Sequence, residues 1–151
     1  MTEGPVAGKH RIVVGVDGSQ PSEQALRWAA HLAATFSARL DAVAAWDFPG
    51  SYGLAPVPPG WDPARDMRQA LDDTVQAVFG DQPPPGLHRE AREGGAAKVL
   101  LDASQGATML VVGSRGHGGV AGLLLGSVSA NVAEHASCPV LIIHGDQPPP
   151  A

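Results

Sequence analysis

Lysine is almost missing from this chain. Lys9 and Lys98 are the only two in 151 residues, and 10 lysines and arginines against 15 aspartates and glutamates leave a formal net charge of −5. Without a basic run there is no sequence-independent grip on a nucleic-acid backbone. Neither lysine stands in a Gly-x-x-x-x-Gly-Lys-Ser/Thr frame, which removes a Walker-type phosphate loop. Gly-x-Ser-x-Gly is absent too, and a hydrolase nucleophile elbow goes with it. Cysteine occurs once, as Cys138, which excludes an intrachain disulfide. One thiol also cannot supply a zinc cage, and His10, His31, His88, His135 and His144 show no metal-ligand spacing. No window approaches the ~18 consecutive apolar residues of a membrane span, and Met1 to Lys9 hold no apolar stretch of the signal-peptide kind. The expectation is a soluble cytoplasmic protein that engages neither membrane nor nucleic acid.

What is present suits one domain. Hydrophobic residues make up 44% of the chain, enough for a single sizeable core, whereas two domains would each be undersized. Arg11 to Val16 is an apolar run closed by Asp17-Gly18-Ser19, as expected of a strand buried on both faces. From Pro21 to Phe36, Ala25, Leu26, Ala29, Leu32, Ala33 and Phe36 recur at helical spacing, with Ser19 or Gln20 at the helix start. Leu40 to Trp46 reads as strand, and Asp47 to Asp62 as a Pro- and Gly-rich loop that suits a lid. Pro63 to Phe79 reads as a helix ending at Gly80. Leu87 to Glu93 is a polar strand of the sheet-edge kind. Ala96 to Ser104 (helix), Thr108 to Val112 (strand), Ser127 to Ala136 (helix) and Pro139 to His144 (strand) complete an alternation of five strands and four helices. Strands joined by helical crossovers run parallel, so the fold class is α/β, a doubly wound three-layer sandwich. The expected organisation is a flexible terminus over 1–10, a domain over 11–144 and a Pro-rich tail over 145–151. The tail repeats Gly80-Asp81-Gln82-Pro83-Pro84-Pro85 as Gly145-Asp146-Gln147-Pro148-Pro149-Pro150. Both copies read as a linker or frayed end rather than as a polyproline ligand, since proline continues neither a helix nor a central strand.

Residues 113–127 read Gly-Ser-Arg-Gly-His-Gly-Gly-Val-Ala-Gly-Leu-Leu-Leu-Gly-Ser between the fourth strand and the fourth helix. Glycine lets the backbone approach a ligand closely, and the first turn of the following helix aims N–H groups and a positive dipole end at the same space. That combination suits phosphate. The twelve residues from Ser114 to Leu125 are long for a plain connection, which favours function over a simple link. In an open parallel sheet the ligand lies at the carboxyl ends of the strands where chain progression reverses. Strands one and four are therefore expected side by side, with Asp17 facing the glycine loop. Asp17 by itself also fits a helix cap or a turn, and His117 fits a solvated loop residue equally well. Leu123-Leu124-Leu125 fits a short turn that docks the loop onto the domain, with a partner surface as the other reading. Gly116-His117-Gly118-Gly119-Val120-Ala121 satisfies a loose dinucleotide fingerprint, but that fingerprint belongs after the first strand.

Gly113-x-x-Gly116, nine residues, then Gly126-Ser127, together with Gly-Val-Asp-Gly-Ser at 15–19 and Cys-Pro-Val-Leu-Ile-Ile-His at 138–144, resembles the universal stress protein family along nearly the whole chain. The resemblance implies a five-stranded parallel sheet of order 3-2-1-4-5, ATP in the crevice, and dimerisation through the last strand, Val140 to Ile143. Position by position it implies ligand contacts from Gly15, Asp17 and Ser19 and from Ala45 at the base. The phosphate side would draw on Val112, Gly113, Ser114, Arg115, Gly116, Gly119, Gly126, Ser127, Val128 and Ser129. Ser127 and Ser129 are hydroxyl donors. Asp17 would meet the ribose, or phosphate through Mg²⁺, because a bare carboxylate repels phosphate. Arg115, like His117, is not a fixed member of the family's pattern, but its guanidinium would neutralise phosphate charge. The function so implied is an ATP-dependent stress or regulatory module without fast turnover. A slow ATPase or phosphotransferase using the same pocket is the alternative, with Asp17 and His117 as candidates for the base. A flavodoxin-like electron carrier is the third reading; its phosphate loop would normally follow strand one.

Overall fold

The computed structural model describes residues 10–47, 58–116 and 125–150. Strands and helices alternate as β1 (Arg11–Gly15), α1 (Gln20–Phe36), β2 (Arg39–Trp46), α2 (Pro63–Phe79), β3 (His88–Glu93), α3 (Ala96–Ala103), β4 (Met109–Gly113), α4 (Ser127–His135) and β5 (Val140–Ile143). All five strands are parallel in one sheet of order β3-β2-β1-β4-β5, the order the resemblance implied.

Strand alternation divides the core into two layers. Ile12, Val14, Leu40, Ala42 and Val111 face one side and pack with Ala25, Leu26 and Ala29 of α1 and Leu71 and Val75 of α2. Val13, Val43, Leu110 and Val112 face the other, against Val99, Leu100 and Ala103 of α3 and Val132 of α4. Burying β1 on both faces explains why its sequence is a continuous apolar run.

Helix ends follow local chemistry. Ser19 caps α1, its hydroxyl oxygen accepting from the Ser22 N–H at 3.3 Å, and Pro21 sits in the first turn where its missing N–H costs nothing. α1 closes on Ser37 in the left-handed region, φ 52°. Asp62 caps α2, and Gly80 at φ 60° ends it.

At the amino ends of the strands a charged knot holds the layers together. The buried Asp41 carboxylate accepts from Arg39 Nε and Nη2, each at 2.8 Å, and from Arg11 Nη1 at 3.4 Å. Arg11 also donates to the carbonyls of Ala103 (2.7 Å) and Gln105 (2.8 Å), which ties the C-terminal end of α3 to β1. Its bonds to Asp41 hold the Arg39 guanidinium pKa above the ordinary arginine value. The two sheet edges differ: β3 is charged and braced by Arg92–Glu90 and Arg89–Asp72 pairs, while β5 carries only Val, Leu and Ile. No helix among the described residues is long and apolar enough to cross a membrane.

Candidate functional site

Because β2 and β4 flank β1 on opposite sides, the chain reverses its lateral progression there, and a crevice opens at the carboxyl ends of these strands. It holds a cavity of about 470 Å³, within the ~300–1,000 Å³ of small-molecule sites. Asp17 after β1 and Gly113, Arg115 and Gly116 at the carboxyl end of β4 line the same cavity, so the two segments meet as the sequence suggested.

Its lining combines apolar residues, Val16, Val43, Ala45, Ala96, Leu100 and Val112, with polar ones, Asp17, Ser22, Arg115 and Ser127. Here α4 starts without any side-chain cap because its N-cap is Gly126. The Gly126 N–H donates to the Ser114 carbonyl at 2.7 Å, and the Ala130 N–H returns to Gly126. That leaves the first-turn amides of Ser127, Val128 and Ser129, all cavity-lining residues, with the positive end of the helix dipole behind them. α1 is different, since Ser19 already occupies its amino end.

Close approach explains three glycines. A Cβ on Gly116 would collide with Asp17 Oδ2, so the carboxylate fills the place a side chain would take. At Gly113 it would lie 2.8–2.9 Å from Cβ, C and O of Pro21, where β4 meets the start of α1. At Gly15 it would meet Leu100 Cδ1 at 2.8 Å. Asp17 is oriented from its other oxygen: Oδ1 accepts from the Ser19 N–H at 2.9 Å and from the Ser19 hydroxyl. As a hard oxygen donor in the wall, Asp17 suits one position around Mg²⁺. Among the described residues no group of three or more His, Cys, Asp or Glu side chains is arranged to hold a metal, so the other ligands would be phosphate oxygens and water.

The cavity gathers Gly15, Asp17, Ala45, Val112, Gly113, Arg115, Gly116, Gly126, Ser127, Val128 and Ser129 from the expected set. Three residues of the expected set stand differently. Ser19 caps α1 and orients Asp17 rather than lining the cavity. Ser114 lies behind the wall, its N–H donating to Ile143 O at 2.8 Å. The Ser129 hydroxyl donates to Ser114 O at 2.8 Å, because a buried hydroxyl beside an available carbonyl bonds it. Gly119 and His117, like Leu123 and Leu124 and most of the 47–62 loop, lie outside the described residues, while Leu125 lines the cavity. Sequence reasoning missed the apolar lining contributed by Val16, Val43, Ala96 and Leu100. The signal was the position of Val16 just past the carboxyl end of β1 and the Gly94-Gly95 pair that leads into α3.

The model of the Universal stress protein family matches residues 9–144. This chain belongs to the universal stress protein family. It is 38% identical to a universal stress protein of Mycobacterium tuberculosis over 142 residues, 89% of this chain and 48% of the relative. This universal stress protein chain thus spans about half the length of the curated relatives it matches. UspA of Lactobacillus plantarum shares the fold, with a TM-score of 0.71 at 24% identity over 91% of this chain and 99% of that one. The crystal structure of a universal stress protein in complex with cAMP superposes with a TM-score of 0.62 at 30% identity, covering 91% of this chain and 98% of that one.

Proposed function

We propose that the crevice binds ATP, with Mg²⁺ at Asp17, and that the protein is a nucleotide-dependent regulatory module. The observation that carries this reading is the uncapped first turn of α4 opening on the cavity: three amides and the helix dipole form an anion site whose natural guest is phosphate. The Arg115 guanidinium in the same cavity adds charge suited to a polyphosphate rather than a single phosphate. The apolar lining of Val43, Ala45 and Leu100 suits a purine ring. The cAMP complex of a 30%-identical neighbour supports an adenine nucleotide. Mg²⁺ supplies charge neutralisation between the Asp17 carboxylate and phosphate.

The test is calorimetry with ATP, with and without Mg²⁺, and with cAMP as competitor. Gly126→Ala places a methyl where its nearest neighbour is an ordinary 3.5 Å contact with Arg115 Cα, so the fold tolerates it while phosphate approach is blocked. ATP affinity falls at least about tenfold, or about 1.4 kcal/mol. Unchanged affinity removes the loop from the site, and cAMP binding more tightly than Mg-ATP reassigns the ligand. Slow hydrolysis is the second reading, because Asp17 is an acidic group on the wall. Phosphate release from labelled ATP under single-turnover conditions above the buffer rate supports it, and none refutes it. We further propose antiparallel self-pairing of β5, whose residues Val140 to Ile143 form an uncharged sheet edge. A monomeric mass by light scattering at tens of micromolar refutes that pairing.

A further inference from the structure

The two copies of Gly-Asp-Gln-Pro-Pro-Pro have different employment. In the first, Gly80 donates to Gln76 O at 2.8 Å and Gln82 N–H to Phe79 O at 3.1 Å, so the segment finishes α2 and leaves Gln82, Pro83 and Pro85 exposed. The second follows β5. Gly145, at φ 67°, turns the chain, and the Gln147 carbonyl then accepts a hydrogen bond from Trp28 Nε1 of α1 at 2.9 Å, across 119 positions of sequence. Pro149 is half-buried, whereas Gln147, Pro148 and Pro150 are exposed.

We propose that the surface of α1 around Trp28 is a recognition site for a Gln-Pro-Pro-Pro segment, with the chain's own residues 147–150 as the resident ligand. The donor is held in place, because the Trp28 ring packs against the core beneath α1 while its N–H reaches the surface where the tail passes. The acceptor is of a matching kind. Proline has no N–H and holds the preceding residue extended, so a Gln-Pro-Pro-Pro stretch makes no internal hydrogen bonds and its carbonyls stay available. A stiff extended segment also loses little entropy on docking, the basis of aromatic recognition of proline-rich ligands. Gly145 supplies the direction: its positive φ is strained for other residues, and a Cβ there meets nothing within 4 Å, so only the exit angle depends on it.

The experiment follows the indole N–H resonances of the three tryptophans by ¹⁵N–¹H NMR, with Trp28→Phe assigning the Trp28 signal. Deleting 145–151 is expected to shift the Trp28 signal and to speed exchange of its indole proton about fivefold, the loss of one net hydrogen bond. The Trp46 and Trp61 signals stay in place. Adding the peptide Gly-Asp-Gln-Pro-Pro-Pro to the shortened chain returns the Trp28 signal saturably in the millimolar range, the effective concentration of a short tether. A peptide of the same composition with separated prolines leaves it unmoved. If the deletion impairs folding, Pro148→Gly/Pro149→Gly and Gly145→Ala in the full chain give the same reading, each displacing the Trp28 signal in the direction of the deletion. A Trp28 signal indifferent to deletion and to these variants, or one that the peptide does not restore, overturns the proposal.

Discussion

Replacing Gly113 by alanine separates packing from ligand binding in the glycine motif. The added Cβ would sit 2.8 Å from Pro21 Cβ and 2.9 Å from Pro21 C and O. Carbon atoms pack at about 3.5–4.0 Å, so β4 and the start of α1 must part by roughly 0.6–1 Å. Neither yields easily, since β4 is bonded to β1 and β5, and α1 is held at its start by Ser19. Overpacking of this kind costs about 1–3 kcal/mol. A central value of about 2 kcal/mol, with a urea m-value of about 2 kcal/mol/M, lowers the unfolding midpoint by about 1 M. The same loss lowers Tm by about 4–8 °C. Gly126→Ala is the control: its Cβ makes a 3.5 Å contact at φ −70°, so it loses only the N-cap preference of glycine over alanine, about 1 kcal/mol at most. Chemical denaturation of both variants without nucleotide is the assay. A Gly113→Ala midpoint within about 0.2 M of the parent, or a larger drop for Gly126→Ala, refutes the packing argument.

Asp41→Ala is expected to destabilise by about 2 kcal/mol by urea denaturation, less than a fully buried pair because Arg39 is half-exposed and Arg11 keeps its carbonyl partners; an unchanged midpoint contradicts a structural knot. Ser37→Gly relieves a left-handed cap at an exposed position and raises stability by about 0.5–1 kcal/mol, whereas a lower Tm contradicts strain there. The hydrogen bond from Arg92 holds Glu90 below the usual carboxylate range, so its contribution is present above about pH 4.3 and disappears as pH falls through the lowered value. Glu90 is a third exposed, which limits the effect to a few tenths of a kcal/mol. Glu90→Gln is accordingly slightly less stable than the parent at pH 7, and the gap closes as pH falls through the lowered Glu90 value; a gap that does not narrow in acid contradicts the assignment.

The elements were legible because periodicity and punctuation agree. Pro63 to Phe79 read as a helix ending at Gly80, and it is the observed α2, which the structure shows capped by Asp62. The continuous apolar runs of β1 and β4 signalled burial on both faces, and they are the adjacent central strands. The glycine spacing located the mouth of the crevice without stating what each glycine accommodates. Nothing in the sequence says that Gly113 admits Pro21 while Gly116 admits a carboxylate, since both are contacts between distant segments. Ser129 carries the same lesson. A serine at the start of a helix looks like a ligand donor, and only the fold brings the Ser114 carbonyl to its hydroxyl. The apolar lining was hidden because Val43 and Leu100 are indistinguishable from core residues until the crevice is assembled.

Ser114 uses its whole peptide environment to clamp the glycine segment: its N–H goes to Ile143, and its carbonyl takes the Gly126 N–H and the Ser129 hydroxyl. The segment's entry and exit are therefore fastened to each other and to the sheet before anything binds. Changes between these stems would leave the amides of α4 in place. Evolution can thus rewrite the interior of this segment, in length as well as composition, and keep the anchoring frame in register.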